Sequence, residues 1–203
     1  MERRDHIKSG CYIMEIQILH WFETLHNPIT NPIFYVITTL GNAGWFWIVL
    51  AVLMLTVLPK KYKKAGLTMA IALILSLIFC NGIMKHLWAR PRAFWVVGQN
   101  FVVGNEFENL YGIFNSIHDY SFPSGHSSAS FAAAIFMWRK KEGSAALVLA
   151  ALIAFSRLYF TVHYPTDVLV GTITGALYGV AAYFIVKALM NKVPKLNAIF
   201  NKQ

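Results

Sequence analysis

The chain has 203 residues, of which 57% are hydrophobic and only 13% are charged. A soluble globular domain carries about 25% charged residues, so the composition excludes an ordinary water-soluble fold and predicts a single membrane-embedded domain spanning 1–203. The net charge of +9 does not indicate nucleic-acid binding, because the basic residues lie at the ends of apolar segments and form no basic face.

The first stretch, 11–40, mixes acidic and histidine side chains with apolar residues and contains two prolines. This pattern fits either an amphipathic helix on the membrane surface or a spanning helix. A spanning helix needs about 20 apolar residues. The segments that approach this length are 43–58, 65–85, 144–160 and 167–187, together with the shorter 126–138. The sequence therefore predicts an all-α, polytopic membrane helix bundle.

Basic residues cluster at the N-terminus, at 60–64, at 139–141 and at 187–202. The positive-inside rule assigns all these groups to the cytoplasm. The alternation of spans then requires 11–40 to cross once, which predicts six spans. The polar connection 93–122 becomes an extracytoplasmic loop.

The other basic residues fall at the predicted outer helix ends, against the topological preference: Lys85, Arg90, Arg92 and Arg157. Cations in such positions indicate a functional site. The alternative is ordinary interfacial side chains that extend toward water.

A second polar group is the tetrapeptide 123–126, Pro-Ser-Gly-His. Ser124 suits the N-cap of a helix, and Gly125 permits close backbone approach. Unpaired N–H groups at a helix start bind phosphate well, and His126 would lie in that first turn. The alternative is a capped helix with a bystander histidine.

A third group places Arg157 before His163 and Asp167. Pro165 suits the first position of the last helix, which puts Asp167 in its first turn. A carboxylate there can orient the His163 ring and leave one ring nitrogen free to attack, while Arg157 could bind phosphate oxygens. The alternatives are a structural His–Asp cap, or a metal site completed by His118 or Asp119.

These three groups resemble the signature of the type 2 phosphatidic acid phosphatase (lipid phosphate phosphatase) superfamily, K-x6-RP, PSGH and SR-x5-H-x3-D. The second and third motifs are intact. In the first, Lys85 and Arg92 keep the spacing, but Ala93 replaces the proline. An Arg-Pro pair also occurs at Arg90-Pro91, two residues too early, so Arg92 is aligned with the phosphate-binding arginine. The motifs lie within 85–167.

The resemblance implies a role for each matched residue. His163 would be the nucleophile, Asp167 would orient it, and His126 would protonate the leaving oxygen and later activate water. Phosphate would be held by Lys85, Arg92, Ser124, Gly125 and Arg157. The resemblance implies no metal or other cofactor.

The substrate implied by the resemblance is a membrane lipid phosphate that remains in the bilayer. Length and layout look like those of bacterial phosphatidylglycerophosphatases of the B type, which favours phosphatidylglycerol phosphate. Undecaprenyl pyrophosphate and phosphatidic acid are the alternatives. Helix lengths of about 1.5 Å per residue predict a site slightly below the outer, extracytoplasmic boundary of the cell membrane.

Two other classes of protein remain open from the sequence. The chain could be a transporter or channel with a charged entrance, although transporters usually bind at the midplane, or a structural protein in which polar residues lock helix ends. Oligomeric state is also open, since the glycine face formed by Gly171, Gly175 and Gly179 could pack within one bundle or between two. We favour packing within one bundle.

Overall fold

The computed structural model describes residues 2–96, 119–135 and 141–193. All regular elements in these ranges are helical, which confirms the all-α class. The helices are α1 (Glu2–Glu23), α2 (Thr30–Leu40), α3 (Trp45–Thr56), α4 (Lys63–Leu75), α5 (Lys85–Trp88), α6 (Ala93–Val96), α7 (Gly125–Ala134), α8 (Lys141–Tyr159) and α9 (Pro165–Lys192). Most of the predicted loop 93–122 lies outside the described residues, as does the end of the predicted span 126–138.

The segment 11–40 is divided between the end of α1 and α2, and its crossing of the membrane stays a prediction. The break follows α1, where the side-chain oxygen of Asn27 accepts hydrogen bonds from the backbone N–H groups of Ile29 and Thr30, each 2.9 Å long. An Asn oxygen that satisfies these free N–H groups favours a new helix start. The second half of the segment therefore becomes α2.

Helices α2 and α3 form a pair bent by 46° across the short turn Asn42–Gly44. Gly44 adopts a left-handed conformation with φ of 68°, which glycine reaches without a steric penalty. At Gly41, an added Cβ would lie 2.6 Å from Cδ2 of His126. The bend therefore brings backbone close to a predicted catalytic side chain.

The long helices carry the expected membrane-facing surface. By length and composition, Lys60–Trp88 and Pro165–Lys192 could each cross a membrane, and the bent α2–α3 pair would make a third span among the described residues. Leu77 on the first of these helices is 62% exposed and Leu177 on the last is 61% exposed, which suits contact with lipid. The count of six spans stays a prediction.

Helix α7 lies at the centre of the bundle and presents small side chains to its neighbours. Its buried serines bind other helices: Ser128 Oγ is 2.8 Å from Ser76 Oγ, and Ser130 Oγ accepts a 3.0 Å hydrogen bond from Trp47. On α9, a Cβ added to Gly171 would lie 2.5 Å from the carbonyl oxygen of Ser124. The glycine face therefore packs against α7 within the chain, which confirms the favoured interpretation.

The helix between α4 and α5 contains a feature that the sequence did not predict. Ser76–Met84 is π-helical and joins α4 to α5 without a break. Long π-helical stretches are rare and often lie at functional sites. Here the stretch places Asn81 against the start of α7, where a Cβ on Gly125 would lie 2.5 Å from the Asn81 side-chain oxygen.

Candidate active site

The start of α7 is fixed by Ser124. Its hydroxyl oxygen accepts hydrogen bonds from the backbone N–H of Ser127 (3.4 Å) and from the Ser127 hydroxyl (2.9 Å), while its own N–H donates to the carbonyl oxygen of Asp167 (3.0 Å). This confirms the predicted N-cap. It also joins the PSGH motif directly to the first turn of α9.

The start of α9 holds the carboxylate that was predicted to orient the nucleophile. Asp167 is 0% exposed, and its Oδ2 accepts a 3.0 Å hydrogen bond from the backbone N–H of Tyr164. Ser121, which the sequence analysis did not single out, donates its hydroxyl to the same oxygen. Asp167 is therefore both a helix cap and a buried acceptor beside His163.

His163 has its two ring nitrogens in different surroundings. Nδ1 lies 3.5 Å from Asp167 Oδ2, which is longer than an ordinary hydrogen bond; such contacts often shorten when a substrate binds. Nε2 lies 3.2 Å from NH1 of Arg92. One ring nitrogen thus faces the carboxylate and the other faces a cation.

Lys85 and Arg92 converge on one carboxylate. Both side chains are buried, and both pair with Asp119, one with each carboxylate oxygen. Arg92 also donates to the carbonyl oxygen of Val162 at 2.7 Å. The metal-site alternative assigned Asp119 to a metal, whereas here it pairs with the two predicted phosphate ligands. His118 lies outside the described residues.

Arg157 is the cation without a carboxylate. It is 3% exposed, its NH1 donates a 2.6 Å hydrogen bond to the hydroxyl of Thr38, and its Nε has no partner. No acidic side chain of the described residues forms an ion pair with it. A buried charge is costly unless it is paired. An anion that enters the site could pair with this guanidinium.

His126 occupies the first turn of α7 and faces the α2–α3 bend. Its Nε2 lies 2.9 Å from the side-chain oxygen of Asn42. Sequence reasoning missed Asn42 and Thr38, which flank Gly41 in the bend. Their only signal was the presence of polar side chains inside a stretch of apolar residues.

A cavity of about 600 Å³ begins at His126 and Lys85 and extends between α3 and the helix Lys60–Trp88. Its polar end contains Lys85, Asp119, Gly125 and His126. The rest of its lining is largely apolar and includes Val52 and Leu55 of α3, Ile74 of α4 and Leu77 of the π-helical stretch. Such a cavity can accept a molecule with an anionic head and an apolar tail.

The structure thus brings most of the predicted site residues into one region. Direct contacts connect Arg92 to His163, and backbone contacts connect Ser124 to Asp167. The cavity brings Lys85, Gly125 and His126 together. Among the described residues, no three His, Cys, Asp or Glu side chains form a metal-binding group.

The electrostatics of the site favour a neutral His163 and an ionised Asp119. Burial, together with the positive charges of Arg92, Arg157 and Lys85, holds the pKa of His163 well below its ordinary value. Burial alone would raise the pKa of Asp119. The positive charges of Arg92 and Lys85 outweigh burial and lower the pKa of Asp119 to about 2. Asp119 therefore stays ionised at any ordinary working pH.

These pKa shifts predict the acid side of the activity profile. A protonated Nε2 cannot attack, and a lowered pKa keeps His163 neutral to lower pH. We expect the acid limb of kcat/KM, which reports the free enzyme, to lie below about pH 6.5, the value for an unperturbed histidine. A pH series of initial rates measures this limb. An acid midpoint above 6.5 in the wild-type enzyme would contradict the predicted direction.

A helical membrane bundle in which a histidine lies between a buried carboxylate and a cation is the arrangement expected of an integral membrane phosphatase. The chain belongs to the PAP2 superfamily, which its residues 61–191 match.

Several proteins are similar to this chain. Escherichia coli (strain K12) YbjG, whose name assigns it provisionally to the undecaprenyl-diphosphatases, is 31% identical over 85% of this chain and 78% of the relative. The lipid A 4'-phosphatase of Bacteroides thetaiotaomicron is 29% identical over 87% and 78%. The crystal structure of the transmembrane PAP2-type phosphatidylglycerolphosphate phosphatase from Bacillus subtilis has a TM-score of 0.60 at 21% identity, covering 91% of this chain and 88% of that one.

Proposed function

We propose that this protein is a membrane lipid phosphatase that works through a phosphohistidine intermediate. The observation that carries the proposal is the position of His163, whose Nδ1 faces the buried Asp167 and whose Nε2 lies 3.2 Å from Arg92. Family membership supports the reaction class. The apolar arm of the cavity supports a lipid as the substrate.

In the first step, Nε2 of His163 attacks the terminal phosphorus, and the bond breaks from that phosphorus to its leaving oxygen, which is the bridging oxygen of a diphosphate or the lipid oxygen of a monoester. His126 donates its proton to that leaving oxygen. Lys85, Arg92 and Arg157, with the Gly125 amide, neutralise the transferring phosphoryl group. Asp119 must give up its pairing with Lys85 and Arg92 in this step, since the phosphate oxygens require the same donors.

In the second step, water attacks the phosphohistidine. His126, now neutral, accepts a proton from the water, and the bond from phosphorus to nitrogen breaks. Inorganic phosphate leaves, and His163 returns to its starting form. Asp167 stabilises the positive charge on the imidazole of the intermediate.

Three lipids are candidates for the preferred substrate. The sequence favoured phosphatidylglycerol phosphate, and the structural neighbour with that activity shares only 21% identity, which supports the fold alone. The name of the relative that is 31% identical favours undecaprenyl diphosphate. We therefore propose undecaprenyl diphosphate as the first substrate to test, with phosphatidylglycerol phosphate and phosphatidic acid as alternatives.

The test is phosphate release from detergent-solubilised protein, with a chelator present, on these three lipids. Wild type is compared with His163→Ala and with a matched control, His20→Ala, on the exposed end of α1. We expect release by wild type and the control, and none by His163→Ala. Flux through liposomes with no phosphate release would favour the transporter class. Loss of stability alone in His163→Ala would favour a structural role.

We also propose that the site faces the extracytoplasmic side of the cell membrane, on the basis of the basic clusters at the opposite helix ends. A cysteine introduced at Leu87, an exposed position on α5, should react with a membrane-impermeant maleimide added to intact cells. A Cys11→Ala/Cys80→Ala background removes both native cysteines of the sequence. Labelling only in inverted vesicles would place the site on the cytoplasmic side.

A further inference from the structure

Arg90 occupies a variable position of the first signature motif, and the family resemblance assigns it no role. Its NH1 donates a 2.7 Å hydrogen bond to Oδ1 of Asp167 and a 2.8 Å hydrogen bond to the hydroxyl of Thr166. The other carboxylate oxygen, Oδ2, faces His163. The two oxygens of Asp167 are thus divided between Arg90 and the nucleophile.

Arg90 is itself held by the first helix of the chain. Its NH2 donates a 2.6 Å hydrogen bond to Oε2 of Glu15, which is 5% exposed. Oε1 of Glu15 accepts hydrogen bonds from the backbone N–H and the hydroxyl of Thr166. The Arg90 guanidinium also lies 3.7 Å from the ring centre of Tyr164. Contacts on three sides fix the guanidinium in one position.

The distances show which cation neutralises Asp167. Arg90 is 2.7 Å from the carboxylate, whereas Nδ1 of His163 is 3.5 Å away. Burial without a close cation favours the protonated form of a carboxylate, and a protonated Asp167 would hold the imidazole N–H less firmly. A carboxylate released at Oδ1 could also rotate away from the ring.

We propose that Arg90 and Glu15 are positioning residues, which hold Asp167 ionised and aligned so that His163 keeps its proton on Nδ1 and its Nε2 free. The inference rests on the proposed function. Because Glu15 lies on α1, the inference extends the groups that support catalysis to that helix. Glu15 also lies outside residues 61–191, which match the family.

The test compares Arg90→Gln, Arg90→Lys, Glu15→Gln and the double variant Glu15→Gln/Arg90→Gln with wild type in the phosphate-release assay. Misaligning a reacting group by about 1 Å can cost 100-fold, so we expect Arg90→Gln to lower kcat roughly 100-fold. Inhibition by inorganic phosphate should stay unchanged, because the phosphate-binding cations are intact. We expect Arg90→Lys to recover part of the rate, since it keeps the charge.

Glu15→Gln is expected to give a smaller loss, and the double variant should be no slower than Arg90→Gln, because both act through one carboxylate. Single-turnover experiments should show slower formation of the phosphoenzyme. Arg92→Gln is the comparison variant, since it should weaken inhibition by phosphate as well as lower kcat. If Arg90→Gln does not fold, Arg90→Lys and Glu15→Gln carry the same test.

Unchanged kcat per folded molecule in Arg90→Gln and Glu15→Gln, with His163→Ala inactive, would overturn this inference alone. Equal losses of kcat and of phosphate inhibition would also overturn it, because they would place Arg90 in the phosphate site. Activity in His163→Ala would overturn the proposed function itself. The wild-type and His163→Ala measurements therefore separate the two failures.

Discussion

The His163→Ala variant should release phosphate at least roughly 1,000-fold more slowly than wild type, because removal of a covalent nucleophile leaves only binding and electrostatic contributions. It should also form no acid-labile phosphoenzyme. No other described imidazole stands between the buried carboxylate and a cation as this one does. Rapid quenching with radiolabelled substrate measures both quantities, with His20→Ala as the control.

His126→Ala should differ from His163→Ala in a way that depends on the substrate. A lipid monoester leaves as an alkoxide and needs a proton from His126, whereas a lipid pyrophosphate leaves as a phosphate, which is a much weaker base. With the pyrophosphate, the first step should therefore survive in His126→Ala and the phosphoenzyme should accumulate. With the monoester, the first step should fail in His126→Ala and no phosphoenzyme should accumulate.

These outcomes separate the two histidines by role. A phosphoenzyme that forms in His163→Ala but not in His126→Ala would reverse the assignment. Equal loss with both lipids in His126→Ala, without any phosphoenzyme, would contradict its role as proton donor. Both results are distinguishable from unfolding by comparing the thermal midpoints of the variants with that of wild type.

Local sequence was enough to predict the long apolar helices and the helix caps beside the candidate site. The spans predicted at 65–85 and 167–187 lie within the helices Lys60–Trp88 and Pro165–Lys192, because long apolar runs with charged ends leave few alternatives in a membrane. The Ser124 cap and the first turn of α9 were likewise readable, since capping depends on neighbours a few residues apart.

What the sequence could not predict depends on contacts between distant residues. Thr38 binds Arg157 across 119 positions, and Asn42 binds His126 across 84. Glu15 looked like one of several charges on an amphipathic segment, and only the packing of α1 against the start of α9 connects it to Arg90. The π-helical stretch was also missed, because hydrophobic periodicity does not distinguish it from α-helix.

Arg157 connects the site to the stability of the bundle. Replacing buried ionic groups with apolar residues of similar volume is often neutral or stabilising, by as much as 1–4 kcal/mol. Arg157 has no carboxylate partner among the described residues and has an unsatisfied Nε, so the folded protein bears the desolvation cost without an ion pair. We expect Arg157→Met to raise the free energy of unfolding by about 1 kcal/mol, the lower end of that range, since the Thr38 hydroxyl loses its partner.

The same substitution should lower kcat/KM by roughly 100- to 1,000-fold, because a donor directed at the transferring phosphoryl group is lost. Arg157→Lys should recover little, since an ammonium cannot bind the Thr38 hydroxyl and phosphate with the planar fork of a guanidinium. Thermal unfolding in detergent, with and without inorganic phosphate or vanadate, measures the change in stability. The phosphate-release assay measures the change in kcat/KM.

The shift of the thermal midpoint on anion binding should differ between wild type and Arg157→Met. At 100 times its dissociation constant, a ligand of the folded state stabilises by about 2.7 kcal/mol, so phosphate or vanadate should raise the midpoint of wild type and of the His20→Ala control. Arg157→Met should begin higher and respond weakly. A variant that is less stable than wild type, yet keeps its response to the anion, would show that Arg157 supports the bundle and does not bind phosphate. A variant that is more stable than wild type, and whose midpoint no longer rises with the anion, would show that Arg157 binds phosphate at a cost to the stability of the bundle.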